Sequence, residues 1–311
     1  MTDIIRFQKQ VATGRLTLPV TILMCLLLWA FTWQEWTDLS SLCTIILVAC
    51  LMIEANTTFT LIRTRTYLPA CLYGAIATSL FFLHSFEWRN LIPLTFILAL
   101  SQQFRSYESA SSATPIYHVF FFISLGSLIF PQFLFYAHLF WLSMIPFRSI
   151  NDKSFFSCIL GTLTPYWFLF GYAFCFNQMP LFLAPLKEAV HFYPIDYSHL
   201  TLVEILSWGF ITLLLVVSSF HYFLIAYTDK TRTRIFHSFL IIIGLYTTLW
   251  SVLQPVHLSV LMPIQLICAA FLGGHLFTLT RNRFSEIFFI VTFAAFIFLL
   301  IYNLWMQYFN F

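Results

Sequence analysis

Charge is what this chain of 311 residues lacks. Fifteen Lys and Arg and twelve Asp and Glu make up 9% of it, against 60% hydrophobic and 20% aromatic residues. Soluble domains carry about 25% charged residues, so these few cannot cover a water-facing surface. Disorder needs the opposite composition. The formal net charge of +3 gives no reason to expect nucleic acid as a partner. Period-two alternation of apolar and polar residues is missing too, which excludes a transmembrane β-barrel; runs such as IILVACLMI and IFFIVTFAAFIFLLIY do not alternate. No CxxC, HxxH or HxxxH pair occurs, and the seven cysteines all fall in or beside apolar runs. Neither a disulfide framework nor a metal site is indicated, and no cofactor motif appears. No small-residue cleavage site follows the first hydrophobic stretch, which reads as a retained helix.

What remains is an all-α polytopic membrane helix bundle. Apolar runs separated by charged or turn-forming clusters predict about eleven transmembrane helices, at 17–33, 39–62, 67–86, 88–104, 116–130, 132–147, 155–176, 202–227, 235–253, 258–279 and 287–309. The short fifth and sixth could instead form a re-entrant pair. Eleven spans of about 20 residues leave too little chain for a soluble domain, so residues 1–311 are expected to form one transmembrane domain with an outer loop at about 177–201.

With the N-terminus placed in the cytoplasm, the sides of the loops follow. Arg6, Lys9, Arg15, Arg63, Arg65, Arg105, Arg148, Lys153, Lys230, Arg232, Arg234, Arg281 and Arg283 then lie inside, and only Arg89 and Lys187 outside. This is a positive-inside distribution, and it puts the C-terminus outside. Trp33, Trp36 and Trp88 fall at the outer boundary, where amphipathic rings favour the headgroup zone.

Ionisable residues within the bilayer are costly and mark sites by default. Glu54 lies about fifteen residues into the second run, or about 22 Å along a helix, and is followed by Asn56. Gln102, Gln103 and Arg105 end the fourth run on the same side. These five residues are expected to line a polar pocket open to the cytoplasm, with Glu54 paired to Arg105; a buried brace or a snorkelling Glu54 is the plainer reading. On the outer side, Glu35 and Asp38 share the short loop WQEWTDLS. This resembles lipid-dependent membrane glycosyltransferases, which hold a catalytic acidic residue in their first outer loop, although theirs is large. In the 177–201 loop, His191 joins Lys187, Glu188, Asp196 and His199. Glu35, Asp38 and His191 are the catalytic candidates, against a plainer reading of the long loop as an amphipathic segment lying in the headgroup zone. The remaining histidines read as polar packing residues. A shift of 169 residues aligns RTRTY at 63–67 with RTRIF at 232–236, as a parallel internal repeat would.

From residue 66 to 174, carried by ISLGSLIFPQFLFYAHLFWLSMIPFRSINDKSFFSCILGTLTPYWF at 123–168, the sequence resembles an uncharacterised family of multi-pass inner-membrane proteins from Bacteroidetes-group bacteria. The resemblance implies a location in the cytoplasmic (inner) membrane and no known activity. Three functions stand at this point: envelope biogenesis acting on a lipid-linked glycan or other amphiphilic substrate, proton-coupled secondary transport through Glu54, or a non-catalytic assembly partner in a membrane complex. Whether the protein is an enzyme is open.

Overall fold

Hydrophobic runs in lipid must satisfy their own backbone groups, and helices do so within one segment. The computed structural model describes residues 2–33, 35–109, 111–280 and 282–309, with the backbone alone for 2–6 and 307–309. Arg281 and the side chain of Arg6, used in the charge pattern above, lie outside the described residues. Among the described residues there is no strand.

The helices are α1 (Thr2–Thr13), α2 (Thr17–Thr32), α3 (Asp38–Phe59), α4 (Leu68–Ser79), α5 (Ile92–Arg105), α6 (Ala113–Ser127), α7 (Tyr136–Ser143), α8 (Asp152–Cys175), α9 (Met179–Ala189), α10 (Leu202–Ile225), α11 (Thr231–Leu253), α12 (Leu258–Leu279) and α13 (Arg283–Phe309). Eleven of them coincide with the expected runs; α1 and α9 are additional. Their ends carry local signals. Asn151 with Ser154, and Thr201 with Glu204, form capping boxes that start α8 and α10, reciprocally satisfying orphan backbone donors. Prolines occupy the first turns of α4, α5 and α9, where the missing N–H costs nothing.

Length divides the helices into two classes. Six (α3, α8, α10, α11, α12 and α13) are long and apolar enough to cross a membrane, and the pair α1–α2, bent by 80°, is a seventh if taken as one span. The chain is therefore compatible with a multi-pass helical membrane protein. By contrast α4, α5, α6 and α7 have 12, 14, 15 and 8 residues. At 1.5 Å per residue they reach at most about 22 Å, short of the roughly 30 Å hydrocarbon core.

Two compact units result. The first contains residues 1–90 and 194–311. Its axis is α12, in which every residue from Val260 to Thr278 is buried. Gln265 donates to the hydroxyls of Thr212 on α10 and Thr248 on α11 at 2.9 and 2.8 Å, and Gly274 packs on Pro69 of α4. Asn303 of α13 donates to the Ser79 carbonyl at the end of α4, 2.8 Å away.

The second unit, residues 91–193, is built on α6 against α8. Gly161 lies so close to α6 that a Cβ would stand 2.5 Å from the Tyr117 carbonyl oxygen. Small residues allow such approach between membrane helices. Ser124 donates to the Thr162 carbonyl at 2.7 Å, and the Ser127 and Tyr166 hydroxyls lie 2.9 Å apart. The expected outer loop is partly helical: α9 carries exposed Leu181, Leu183 and Leu186, and the Gln132 amide donates to its Glu188 carbonyl at 3.1 Å.

Gly161→Ala and Gly274→Ala are expected to lower the thermal unfolding midpoint in detergent, since overpacking costs about 1–3 kcal/mol. At Gly274 the added carbon would stand 2.6 Å from the rigid Pro69 ring. Gly171→Ala and Gly209→Ala, with nothing within 4 Å, are expected to be neutral or to gain up to about 1 kcal/mol of helix propensity.

Candidate functional site

The segment before the first long apolar run is where the first unit departs most from an unstructured tail. Helix α1 is fastened by Gln8, a buried residue whose Nε2 lies 2.8 Å from the Phe277 carbonyl, 3.0 Å from Ser285 Oγ and 3.3 Å from the Thr280 carbonyl. The Thr66 hydroxyl donates to the Ala12 carbonyl. The Phe7 ring packs edge-on against Phe289 and Phe293, with centroids 6.0 and 6.3 Å apart. So fixed, α1 lies against the junction of α12 and α13, and the chain turns by 80° around Gly14 into α2.

Beneath that bend is an apolar cavity of about 770 Å³, lined from α1, α2, α4, α10, α12 and α13. This is within the usual range for small-molecule sites. Phenylalanines dominate its wall: Phe7, Phe210, Phe277, Phe289, Phe293 and Phe296. Arg15, exposed at the bend, is the one charged residue of this lining, and the Gln10 amide lies one turn before it. Thr17 and Thr21, also in the lining, spend their hydroxyl protons on the carbonyls of Val11 and Thr17 at 2.6 and 2.8 Å. An apolar chamber with a single guanidinium at its edge can hold a hydrocarbon chain whose head carries negative charge, because Arg pairs well with phosphate or carboxylate.

The residues singled out from the sequence fall in both units. Glu54 is exposed on α3. Asn56 is buried and works as a brace, its amide donating to the Thr66 carbonyl at 3.0 Å and its oxygen accepting from the Ile62 amide at 3.2 Å. Both belong to the first unit, whereas Gln102, Gln103 and Arg105 end α5 in the second. There Gln103 is fully buried and donates to Ser143 at 2.9 Å; Arg105 is exposed. Asp38 is buried at the start of α3 and accepts from the Glu35 amide at 3.0 Å, while the Glu35 carboxylate accepts from Thr37 at 3.1 Å. This pair closes the turn between α2 and α3.

His191 follows α9, exposed, with its ring 4.6 Å from that of Tyr193. Asp196 and His199 face each other at 3.3 Å. The Ser198 amide and hydroxyl hold the Asp196 carboxyl below its ordinary value, with His199 adding to the effect. Among the described residues no group of three or more His, Cys, Asp and Glu could hold a metal ion, and the seven cysteines are free.

Gln8, Gln10 and Arg15 were missed as site residues. The available signal was the spacing of Phe7 and Val11, one helical turn apart, ahead of Gly14. Gln8→Ala is expected to release α1, cost about 1 kcal/mol of stability and speed hydrogen exchange of residues 7–13. Unchanged exchange there would show that α1 is held by other contacts. No protein-family model, curated protein or solved structure matches the chain.

Proposed function

We propose that the protein is an integral protein of the bacterial inner membrane that acts in envelope biogenesis by holding an amphiphilic, anionic-headed lipid or lipid-linked glycan. The supporting observation is the cavity of about 770 Å³ with Arg15 as its one charged lining residue. Hydrocarbon occupies the phenylalanine-lined interior, and the head stays at the α1–α2 bend, where Arg15 and Gln10 meet water. The resemblance of residues 66–174 to a Bacteroidetes-group inner-membrane family agrees with that location.

The topology belongs to the same proposal. The N-terminus is cytoplasmic and the C-terminus outside, with eleven hydrophobic segments. Four of these, α4 to α7, are short and consecutive, so they form two pairs. Parity is therefore the same whether each pair crosses or turns back, and the loops bearing Arg63, Arg105, Arg148 and Lys230 stay cytoplasmic in both cases. This arrangement puts Arg15 at the cytoplasmic headgroup level, where basic residues meet anionic lipid.

Native mass spectrometry of the purified full chain is expected to show a retained lipid, lost in Ala75→Trp, which fills the cavity from α4. Arg15→Glu is expected to shift the retained population toward zwitterionic lipid. Deletion of the gene is expected to change the lipid or surface-glycan profile. A lipid-free protein with an unchanged profile on deletion would overturn the proposal.

A further inference from the structure

A second polar feature of the first unit lies where α10, α11 and α12 end. Helix α10 finishes at Ile225 and a short 3₁₀ turn leads to Asp229, directly before α11. Although Lys230, Arg232 and Arg234 follow it, the Asp229 side chain is only 4% exposed. A carboxylate buried in that way costs several kcal/mol unless it is paired. Its partners are His275 of α12, with Nε2 2.8 Å from Oδ2, and Arg63, with Nε 3.9 Å from Oδ1. Arg63 is more than half exposed and also donates to the Thr228 hydroxyl at 3.4 Å, so it links the buried carboxylate to water.

His237 and Tyr222 complete the cluster. Their rings stack at 4.7 Å, and the His275 ring stands 4.8 Å from His237 and 5.0 Å from Tyr222. The hydrogen bonds fix the tautomers. His237 Nδ1 lies 3.0 Å from the Thr233 carbonyl, which only accepts, so Nδ1 carries the hydrogen. The Asp229 carboxylate likewise requires the hydrogen of His275 on Nε2. In their neutral forms both imidazoles then present a lone pair, on His237 Nε2 and His275 Nδ1. Both atoms are buried without a hydrogen-bond partner in the structure. Two buried acceptors beside a buried anion are placed to take up a proton.

We propose that Asp229, His237 and His275 form a proton-binding site, in which the two imidazoles hold one proton against the fixed charge of Asp229, exchanged with water on the Arg63 side. Burial opposes ionisation of Asp229, but the hydrogen bond from His275 and the positive charge carried by the imidazole pair and Arg63 outweigh it, leaving its carboxyl below the ordinary value. Its charged form is therefore kept above that value and lost only as pH falls further.

The other groups around the pair are His221 and Tyr222 from α10, Arg234 from α11 and Arg63 from the connection after α3. Helix α4 brings Pro69 to the neighbouring Gly274; α13 brings Phe284 against His221, with Glu286 in its first turn. The site is independent of the lipid cavity and assigns to these residues the proton-carrying role that the sequence suggested for Glu54.

The test is a nitrogen NMR titration of the full chain, histidine-labelled with ¹⁵N, in lipid nanodiscs, with His237→Gln and His275→Gln to assign the signals. In the wild type the pair is expected to take up one proton as a unit as the pH is lowered. The midpoint should fall by a unit or more in Asp229→Asn and move in Tyr222→Phe, which keeps the ring packing. If Asp229→Asn does not fold, the wild-type and Tyr222→Phe titrations decide. Two imidazoles that stay neutral until the fold is lost in acid, or that titrate separately and ignore Tyr222→Phe, would overturn the proposal.

Discussion

The burial of α12 is the constraint on which the first unit depends. Lipid tails are as apolar as leucine, so hydrophobicity alone does not drive one membrane helix inside others. Yet α12 is 89% buried over its apolar window, against 22% for α13. What distinguishes α12 is its composition: Cys268, Ala269, Ala270, Gly273 and Gly274 let neighbours approach, and Gln265 and His275 give them something to bond. Each such bond between membrane helices is worth only about 0.6 kcal/mol on average. Their effect is to choose which face meets which neighbour.

The positions of those ties explain where the polar features lie. Gln265 binds α10 and α11 to the middle of α12. His275 reaches Asp229 near its end, and the Phe277 carbonyl receives Gln8 from α1. Within three residues the same helix end therefore meets a buried carboxylate and anchors the helix that covers the apolar cavity.

The helical class was legible because apolar run length is read directly in lipid, and eleven expected runs each contain a helix. What the runs did not reveal is how far each extends. The run at 67–86 yields only twelve α-helical residues in α4 before a 3₁₀ turn, and its counterpart in the suspected repeat, α11, has 23. Capping at 151 and 201 was local and readable. The sites were less so. Asn56, two residues after Glu54, is buried and bonded as a brace, and an apolar run gives no sign of which of its polar residues turns inward. Asp229 stands among basic neighbours in the sequence, and its partners His237 and His275 are 8 and 46 residues away. Spacing along one helix cannot signal a cluster that three helices assemble. Gln8 escaped notice for the same reason, since its partners are about 270 residues distant.

The central claim is that α12 is shielded by protein from the lipid that surrounds the rest of the first unit. Footprinting with a bilayer-soluble diazirine, read by peptide mass spectrometry on protein in native-like vesicles, tests it directly. The account predicts heavy labelling of Ile287, Ile290, Phe298 and Ile301 on α13, all exposed, and essentially none between Val260 and Phe277. Comparable labelling along α12 and α13 would contradict it.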